Sequence, residues 1–536
     1  MTTTTPTTIT PTTTTPTITT TTTIITTTHL EENKRLRLHL EKLTGSSSHY
    51  YASADAVHEC PDDDKMPTTG NSGGHVLQMI KDQHFLESSE KLNTSSYVNV
   101  YFEHEEIEAM NLGAKINLAD QTVYPQSFKM HNQVLNMVAH LWNCPRPADF
   151  AEYGAFAGAG TVGSTEACLL AGLCLKFRWR GWYAKRHGMT EEQVKGVMPN
   201  LVLSTCFQAA WEKLFRYMDV EPKFVVPSKS SFAITAEEVE KLVDEKTIGV
   251  LCILGNHYGG QYDPVWEIDE LLTKLNRQKG WQVGIHVDGA SGGFVAPFQP
   301  DLPAWDFRLR GVLSISASGH KFGESCCGTG WIVWRQRKDL SEHVAISVSY
   351  LGGKADSYTL NFSRPASGIY VQYYKFFRLG RRGYQALSDN RTSNAKYLRD
   401  HLKALTYKGQ PRFVMLDAGD TNCLPVVAAY LNPALELPYD DIDLQHTMMG
   451  YHWYVSGYKM CFLDPKDETT QPLFHDAAPD QTMFRVVVKA NVTRVMLDHL
   501  IDSLKAALES MDQLSAGFTM LHLTKKSKQH FKGHAC

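Results

Sequence analysis

The chain has 536 residues, enough for a large core and more than one domain, and its 43% hydrophobic and 21% charged residues are ordinary for a water-soluble globular protein. A formal net charge of -4 argues against a general nucleic-acid binder, and no apolar run approaches the roughly 20 residues of a membrane span. The 11 cysteines contain no CxxC pair, so reduced buried thiols and a cytoplasmic location are expected, with neither a disulfide framework nor a metal site.

Residues 1–28 are almost all threonine, with proline and isoleucine, and carry neither an arginine nor a signal-like apolar block. With the polar stretch Gly45–Gly74, they make 1–74 a low-complexity tail and linker that buries too little apolar surface to fold. Residues 75–145 have a mostly helical pattern. Next, Gly158–Thr161 and Gly163–Ala167 are expected to open an apolar helix with Ser164 or Thr165 as its cap.

From Pro199 strands and helices alternate. Strand-like runs are Leu201–Ser204, Lys223–Val226, Ile248–Leu254, Val283–Val287, Val312–Ala317 and Trp331–Trp334. Between them Gln208–Met218, Ala236–Val243 and Val265–Leu275 read as helices. This alternation predicts an α/β fold, a mainly parallel sheet covered on both faces, over 146–370. A long helical stretch follows Tyr370, with Arg378, Arg381 and Arg382 late in it, and leads into a smaller α+β domain, 371–511. Residues 512–536 form a basic tail.

The chemistry concentrates at two strand ends. Lys321 follows Val312–Ala317 within Ser316–Gly323, where Ser318 and Gly319 leave room for a ligand and His320 can donate to an anion. Asp288 closes the apolar run Val283–Val287 and enters a Gly/Ser turn. A lysine able to form a Schiff base and an aspartate able to face a protonated pyridine are what pyridoxal 5'-phosphate needs, and strand ends are where α/β sheets bind ligands. A surface lysine and a turn aspartate are the plainer readings. The N–H groups opening the helix at Ser164 and Thr165 suit a phosphate, or only an ordinary helix start.

These motifs stand in a longer ordered set: YPQS at 124–127, GSTEA at 163–167, TIGV at 247–250, HVDGASGGFVAPF at 286–298, WDFRL at 305–309, SISASGHKFG at 314–323, YLGG at 350–353 and NFSRPA at 361–366. From about Val76 to Met511 the chain resembles the glutamate decarboxylase family of pyridoxal-phosphate enzymes. The resemblance implies an aspartate-aminotransferase-like fold with a seven-stranded, mostly parallel sheet, and decarboxylation of an acidic amino acid, foremost L-glutamate to 4-aminobutyrate. It implies that Lys321 holds the cofactor, that Asp288 pairs with its ring nitrogen, and that Ala290 and Gln208 pack on its two faces. Ser164, Thr165, Ser318 and His320 would hold the phosphate. Ser363 would reach a neighbouring subunit's phosphate, making the protein at least a homodimer, with 75–145 contributing to the dimer and the substrate pocket. Ser96, Tyr97, Asn117, Asp120 and Arg485 would bind substrate, and Tyr350, on a Gly-containing loop, would return a proton. On bare sequence, an arginine in a strand such as Arg485 is more often an edge or salt-bridge residue.

Two places depart from the family. His257 stands where a threonine is usual, near the expected cofactor and substrate. It fits either a satisfied pocket histidine or a changed substrate or proton path, leaving aspartate, cysteine sulfinate or an oxidative outcome open, beside a catalytically inactive scaffold. Glu324-Ser325-Cys326-Cys327 is also unusual; buried packing is expected for the paired thiols. The tail, Phe518–Cys536, lacks tryptophan and regular apolar spacing, which argues against a calmodulin-binding helix.

Overall fold

The computed structural model describes residues 65–66, 70–344, 346–348, 355–417, 419, 422–478 and 480–517. They fall into two compact units, Met1–Ser88 and Ser89–Cys536. The expectations placed on the threonine-rich tail, on Tyr350 and on the basic carboxyl-terminal tail lie outside the described residues. In the first unit, helix α1 (Gly73–Phe85) is capped by Ser72, whose hydroxyl accepts from the His75 amide at 3.3 Å.

The second unit is built on seven strands: β1 (Gly158–Val162), β2 (Asn200–Ser204), β3 (Glu221–Val225), β4 (Thr247–Ile253), β5 (Gly284–Asp288), β6 (Val312–Ser318) and β7 (Thr329–Trp334), in the order β1-β7-β6-β5-β4-β2-β3. Pairing is parallel from β3 through β6, and antiparallel where β7 meets β6 and β1. This is the mostly parallel α/β sheet that the alternating pattern predicts. Strands β2, β4, β5 and β6 are buried at every residue, as a parallel sheet covered on both faces requires.

Helices α2 (His104–Gly113), α3 (Pro125–Leu141), α4 (Gly163–His187), α5 (Ala209–Tyr217), α6 (Ala236–Leu242) and α7 (Val265–Lys279) precede or cross between these strands. On α7, Val265, Ile268, Leu271, Leu272 and Leu275 are buried at helical spacing, and left-handed Gly280 ends the helix. Two local expectations are corrected. Gly158–Thr161 is strand β1, not part of a helix opening: its small residues pair antiparallel with Gly330–Val333. Neither Ser164 nor Thr165 caps α4, since both lie inside its first turn. The Glu166 carboxylate serves the helix start instead, accepting from Val162 N at 2.6 Å and from Asn361 N at 2.7 Å.

The long helix α8 (Ser367–Ala404) is broken at Gly380, with φ 58° and ψ -176°; Arg378, Arg381 and Arg382 surround this break rather than lying late in the helix. Beyond it, β8 (Phe413–Met415), β9 (Val426–Leu431), β10 (Ser456–Lys459) and β11 (Thr482–Val487) form an antiparallel sheet in the order β8-β9-β11-β10. Helices α9 (Asp441–Met449) and α10 (Arg494–Gly517) share its core through Leu444, Leu497, Leu500 and Val486.

The turn leaving β5 has no room for a side chain at Gly292: a Cβ there would stand 2.2 Å from the Leu254 carbonyl oxygen. Gly292→Ala is expected to lower unfolding stability by ~1–3 kcal/mol through overpacking. Gly181→Ala, on α4 with nothing within 4 Å, is expected to hold or raise it. Urea titration of the two variants beside wild type checks the contrast.

Candidate active site

Parallel strands put their carboxyl ends on one edge of the sheet, and four residues singled out from the sequence follow from those ends. Gln208 lies just beyond β2 and caps α5, His257 follows β4, Asp288 is the last residue of β5, and Lys321 follows β6. Such an edge, backed by buried strands, is where α/β sheets place ligands.

Asp288 is 3% exposed. Its Oδ2 accepts from the Trp211 indole Nε1 at 2.7 Å, its Oδ1 accepts from the Ala290 amide at 3.0 Å, and the Cys168 Sγ stands 3.9 Å from Oδ2. His286 is two residues earlier on β5 and so shares its face. Its Nδ1 is 2.8 Å from Ser314 Oγ and its Nε2 3.1 Å from Ser316 Oγ. Burial pushes the His286 imidazole down to about 3, so it sits neutral beneath the site.

Lys321 is 8% exposed. Its Nζ donates to Ser291 Oγ at 3.3 Å and stands 5.3 Å from the centre of the Tyr97 ring. Ser291 is three residues past Asp288, so the lysine and the aspartate serve one turn. The lysine loop is closed by Lys321 N to Ser318 O at 3.3 Å and Ser325 N to Gly319 O at 2.9 Å. Glu324 is held there at φ 65° by a buried ion pair with Arg391.

On one flank, Ser164 is buried and Thr165 half-buried in the first turn of α4. His320 approaches that turn: its Cε1 lies 3.6 Å from where a Gly163 Cβ would stand, and its Nδ1 donates to Thr329 O at 2.8 Å. Burial, helped by nearby Lys321, lowers His320 to about 4. The Ser318 hydroxyl is buried with no hydrogen-bond partner among the described residues.

On another flank, Arg485 on β11 is 3% exposed. It donates to the His257 carbonyl, to Ser95 O at 2.7 Å and to Ser456 Oγ at 3.0 Å, with the Tyr97 and Tyr458 rings 4.9 and 5.8 Å from its guanidinium carbon. Its Nε is buried without a partner among the described residues. The Tyr97 hydroxyl also donates to the His257 carbonyl, at 3.0 Å. The His257 ring lies tilted at 37° against Tyr258, with ring centres 3.9 Å apart, and its enclosed Nδ1 lacks a partner among the described residues. Burial, then the positive charges of Arg485 and Lys321, hold this imidazole well below its ordinary range.

The remaining expected residues make local bonds. Ser96 Oγ accepts from Val98 N at 3.2 Å. Asn117 Nδ2 donates to Ser363 Oγ at 3.3 Å, and half-buried Asp120 follows in the next turn. Sequence reasoning missed Trp211, Cys168, Ser291, Ser95 and Ser456. Trp211 had a signal: it stands three residues after Gln208, on the same face of a helix start. Of the paired thiols, Cys326 is buried as expected, but Cys327 is exposed, a correction that follows from its place at the outer turn before β7. A cavity of about 240 Å³ lies elsewhere, between α3 and β1, lined by His131, Phe156, Arg337 and Arg364.

The family model of the pyridoxal-dependent decarboxylase conserved domain matches residues 79–420. The chain is 35% identical over 454 residues to a glutamate decarboxylase of Petunia hybrida, covering 84% of each chain. It is 33% identical to a glutamate decarboxylase of Lactococcus lactis subsp. cremoris, covering 85% of this chain and 90% of the relative. A solved glutamate decarboxylase of Lactobacillus brevis superposes with a TM-score of 0.76 at 33% identity, over 86% of this chain and 98% of that one. In fold alone the chain is similar to the sphingosine-1-phosphate lyase of Burkholderia pseudomallei, at 22% identity and a TM-score of 0.64, covering 85% of this chain and 95% of that chain.

The buried imidazoles generate a pH prediction. His286, His131 and His320 have folded pKa values lowered to about 3, 4 and 4, against about 6.5 in the unfolded chain. Between those values the unfolded chain binds protons that the native chain refuses, so stability falls as pH drops from about 6.5 towards 4. His286→Asn removes one such proton and is expected to flatten the slope of unfolding free energy by up to about 1.4 kcal/mol per pH unit. Denaturant unfolding at a series of pH values checks it.

Proposed function

The chain belongs to the pyridoxal-dependent decarboxylase family, and from that premise we propose that it removes the α-carboxylate of L-glutamate as carbon dioxide and releases 4-aminobutyrate. The observation that carries the glutamate reading is two-way coverage: relatives named glutamate decarboxylase align over 84% or more of this chain and of themselves. Pyridoxal 5'-phosphate is the cofactor. When bound, it supplies a sink for the electron pair left as the bond to the carboxylate breaks.

The residues present fit that group. The Ser318 hydroxyl is a buried donor without a partner among the described residues, near the helix start that His320 approaches, which suits a phosphate. In this reading Ser164, Thr165, Ser318 and His320 would bind the phosphate, Gln208 and Ala290 would cover the ring, and Lys321 Nζ would carry the covalent attachment. Asp288 would hold a proton at the ring nitrogen. Lys321 would also be the amine that lets product leave, and Tyr350 would return a proton to the α-carbon. Arg485 has an Nε without a partner among the described residues and two tyrosine rings against it, and would take a substrate carboxylate. Ser96, Tyr97, Asn117 and Asp120 line the same substrate's path. The exposed Ser363 completes the site of a second copy, so the working unit is at least a homodimer. A cytoplasmic location accords with the absence, among the described residues, of any helix long and apolar enough to cross a membrane.

A second reading keeps cofactor and reaction type and changes the substrate to aspartate, cysteine sulfinate or another amino acid. It is favoured by His257, a buried imidazole held well below its ordinary range by burial and by the charges of Arg485 and Lys321, at a position where the family resemblance leads to a threonine.

Purified protein with pyridoxal phosphate, given L-glutamate, L-aspartate and cysteine sulfinate in turn, is expected to yield 4-aminobutyrate by mass analysis. A different amine without 4-aminobutyrate selects the second reading. Lys321→Ala is expected to abolish carbon dioxide release and the visible band near 420 nm expected of the bound cofactor. Asp288→Asn is expected to keep binding cofactor while losing at least about 100-fold in kcat, the scale of removing one preorganised electrostatic contact.

A further inference from the structure

Trp211 has no part in the reading above, yet it makes the shortest described contact to Asp288. The indole Nε1–H and the carboxylate oxygen are both buried, Trp211 at 0% exposure, and they meet at 2.7 Å. The other carboxylate oxygen is fixed by the Ala290 amide at 3.0 Å. Two donors on two oxygens leave the carboxyl plane no free rotation about its bond to the chain. Cys168, 3.9 Å from Oδ2, adds at most a weak contact.

The indole is itself held from two sides. Its ring packs against that of His286 at 5.3 Å, and both nitrogens of His286 are engaged by Ser314 and Ser316. Its backbone N bonds to Gln208 O at 2.9 Å, so the residue that caps α5 and the residue one turn later move as one unit. Gln208 and Trp211 thereby tie the start of α5 to the end of β5.

We propose that Trp211 is a positioning residue for the cofactor: its indole N–H sets the direction of the Asp288 carboxylate towards the pyridine nitrogen. This rests on the pyridoxal phosphate reading of the site and adds to it a residue that acts through Asp288 without touching the cofactor.

The test separates orientation from packing by using two cofactors. Pyridoxal phosphate presents a ring nitrogen to Asp288; the analogue with carbon in its place presents none. Apoprotein of wild type and of Trp211→Phe is titrated with each, and dissociation constants are read from absorbance. Trp211→Phe is expected to weaken pyridoxal phosphate by about tenfold, in the range of a lost hydrogen bond to a charged group, and to leave the carbon analogue within about twofold. Equal weakening of both, or of neither, overturns the proposal, because a purely structural role moves the two cofactors together. Should Trp211→Phe fail to fold, replacing residue 211 by benzothienylalanine keeps the bicyclic shape, puts sulfur where the N–H was, and carries the same two expectations. If wild type itself binds the carbon analogue and pyridoxal phosphate equally, Asp288 does not face the ring nitrogen; the reading of the site then fails, and this inference with it.

Discussion

The site depends on a carboxyl group that the fold places at the end of a fully buried strand. A carboxyl group taken out of water is costly unless it is hydrogen-bonded or paired. Asp288 meets that demand on the protein side with the indole of Trp211 and the amide of Ala290. Both donors belong to segments that leave parallel strands, so the sheet must form for the carboxyl group to be accommodated. The same constraint explains the serines of β6. Ser314, Ser316 and Ser318 alternate onto one face of the strand, and the first two solvate the neutral His286 that shares the face with Asp288. Ser318, the last of the stripe, is left without a partner among the described residues, at the carboxyl end of the strand.

Charge is arranged around this point in a way that suits an anionic substrate and an anionic cofactor. Lys321 and Arg485 are both buried, and the histidines nearest them, His320 and His257, are held neutral. Neutral imidazoles beside two cations avoid further like-charge repulsion while keeping nitrogen atoms for hydrogen bonding. Farther out, Glu106 with Lys375 at 2.7 Å, and Glu324 with Arg391, compensate charge beneath the lysine loop. Breaking either pair from one side would strand a buried charge, so the loop that presents Lys321 is anchored as strongly as the lysine itself is enclosed.

Much of this was legible in the sequence because parallel strands buried on both faces are written as short apolar runs with helices between them. Strands β2 to β7 were found to within one or two residues. The strand-end lysine and aspartate were legible by position: Asp288 closes an apolar run, and Lys321 follows a strand among small residues that leave room for a ligand, although a surface lysine and a turn aspartate are the plainer readings of each alone. What escaped was set by tertiary contact. Strand β1, which opens with Gly158, Ala159 and Gly160, has almost no apolar signature, and it exists because β7 offers it an edge. The start of α4 is tied by Glu166, inside the helix, which accepts from the amide of the preceding Val162, while no side chain caps the helix itself. Trp211 reads as a core aromatic, and only the approach of α5 to β5 gives its N–H a carboxylate. Asn117 and Ser363 are 246 residues apart and bond to each other, a pairing that no local pattern encodes.

The whole site rests on the proposed attachment of pyridoxal phosphate to the Lys321 amine. Purified protein incubated with pyridoxal phosphate, reduced with borohydride and digested, is expected to carry the cofactor's mass on the single peptide containing Lys321. Labelling of other lysines with that peptide unmodified would contradict the claim.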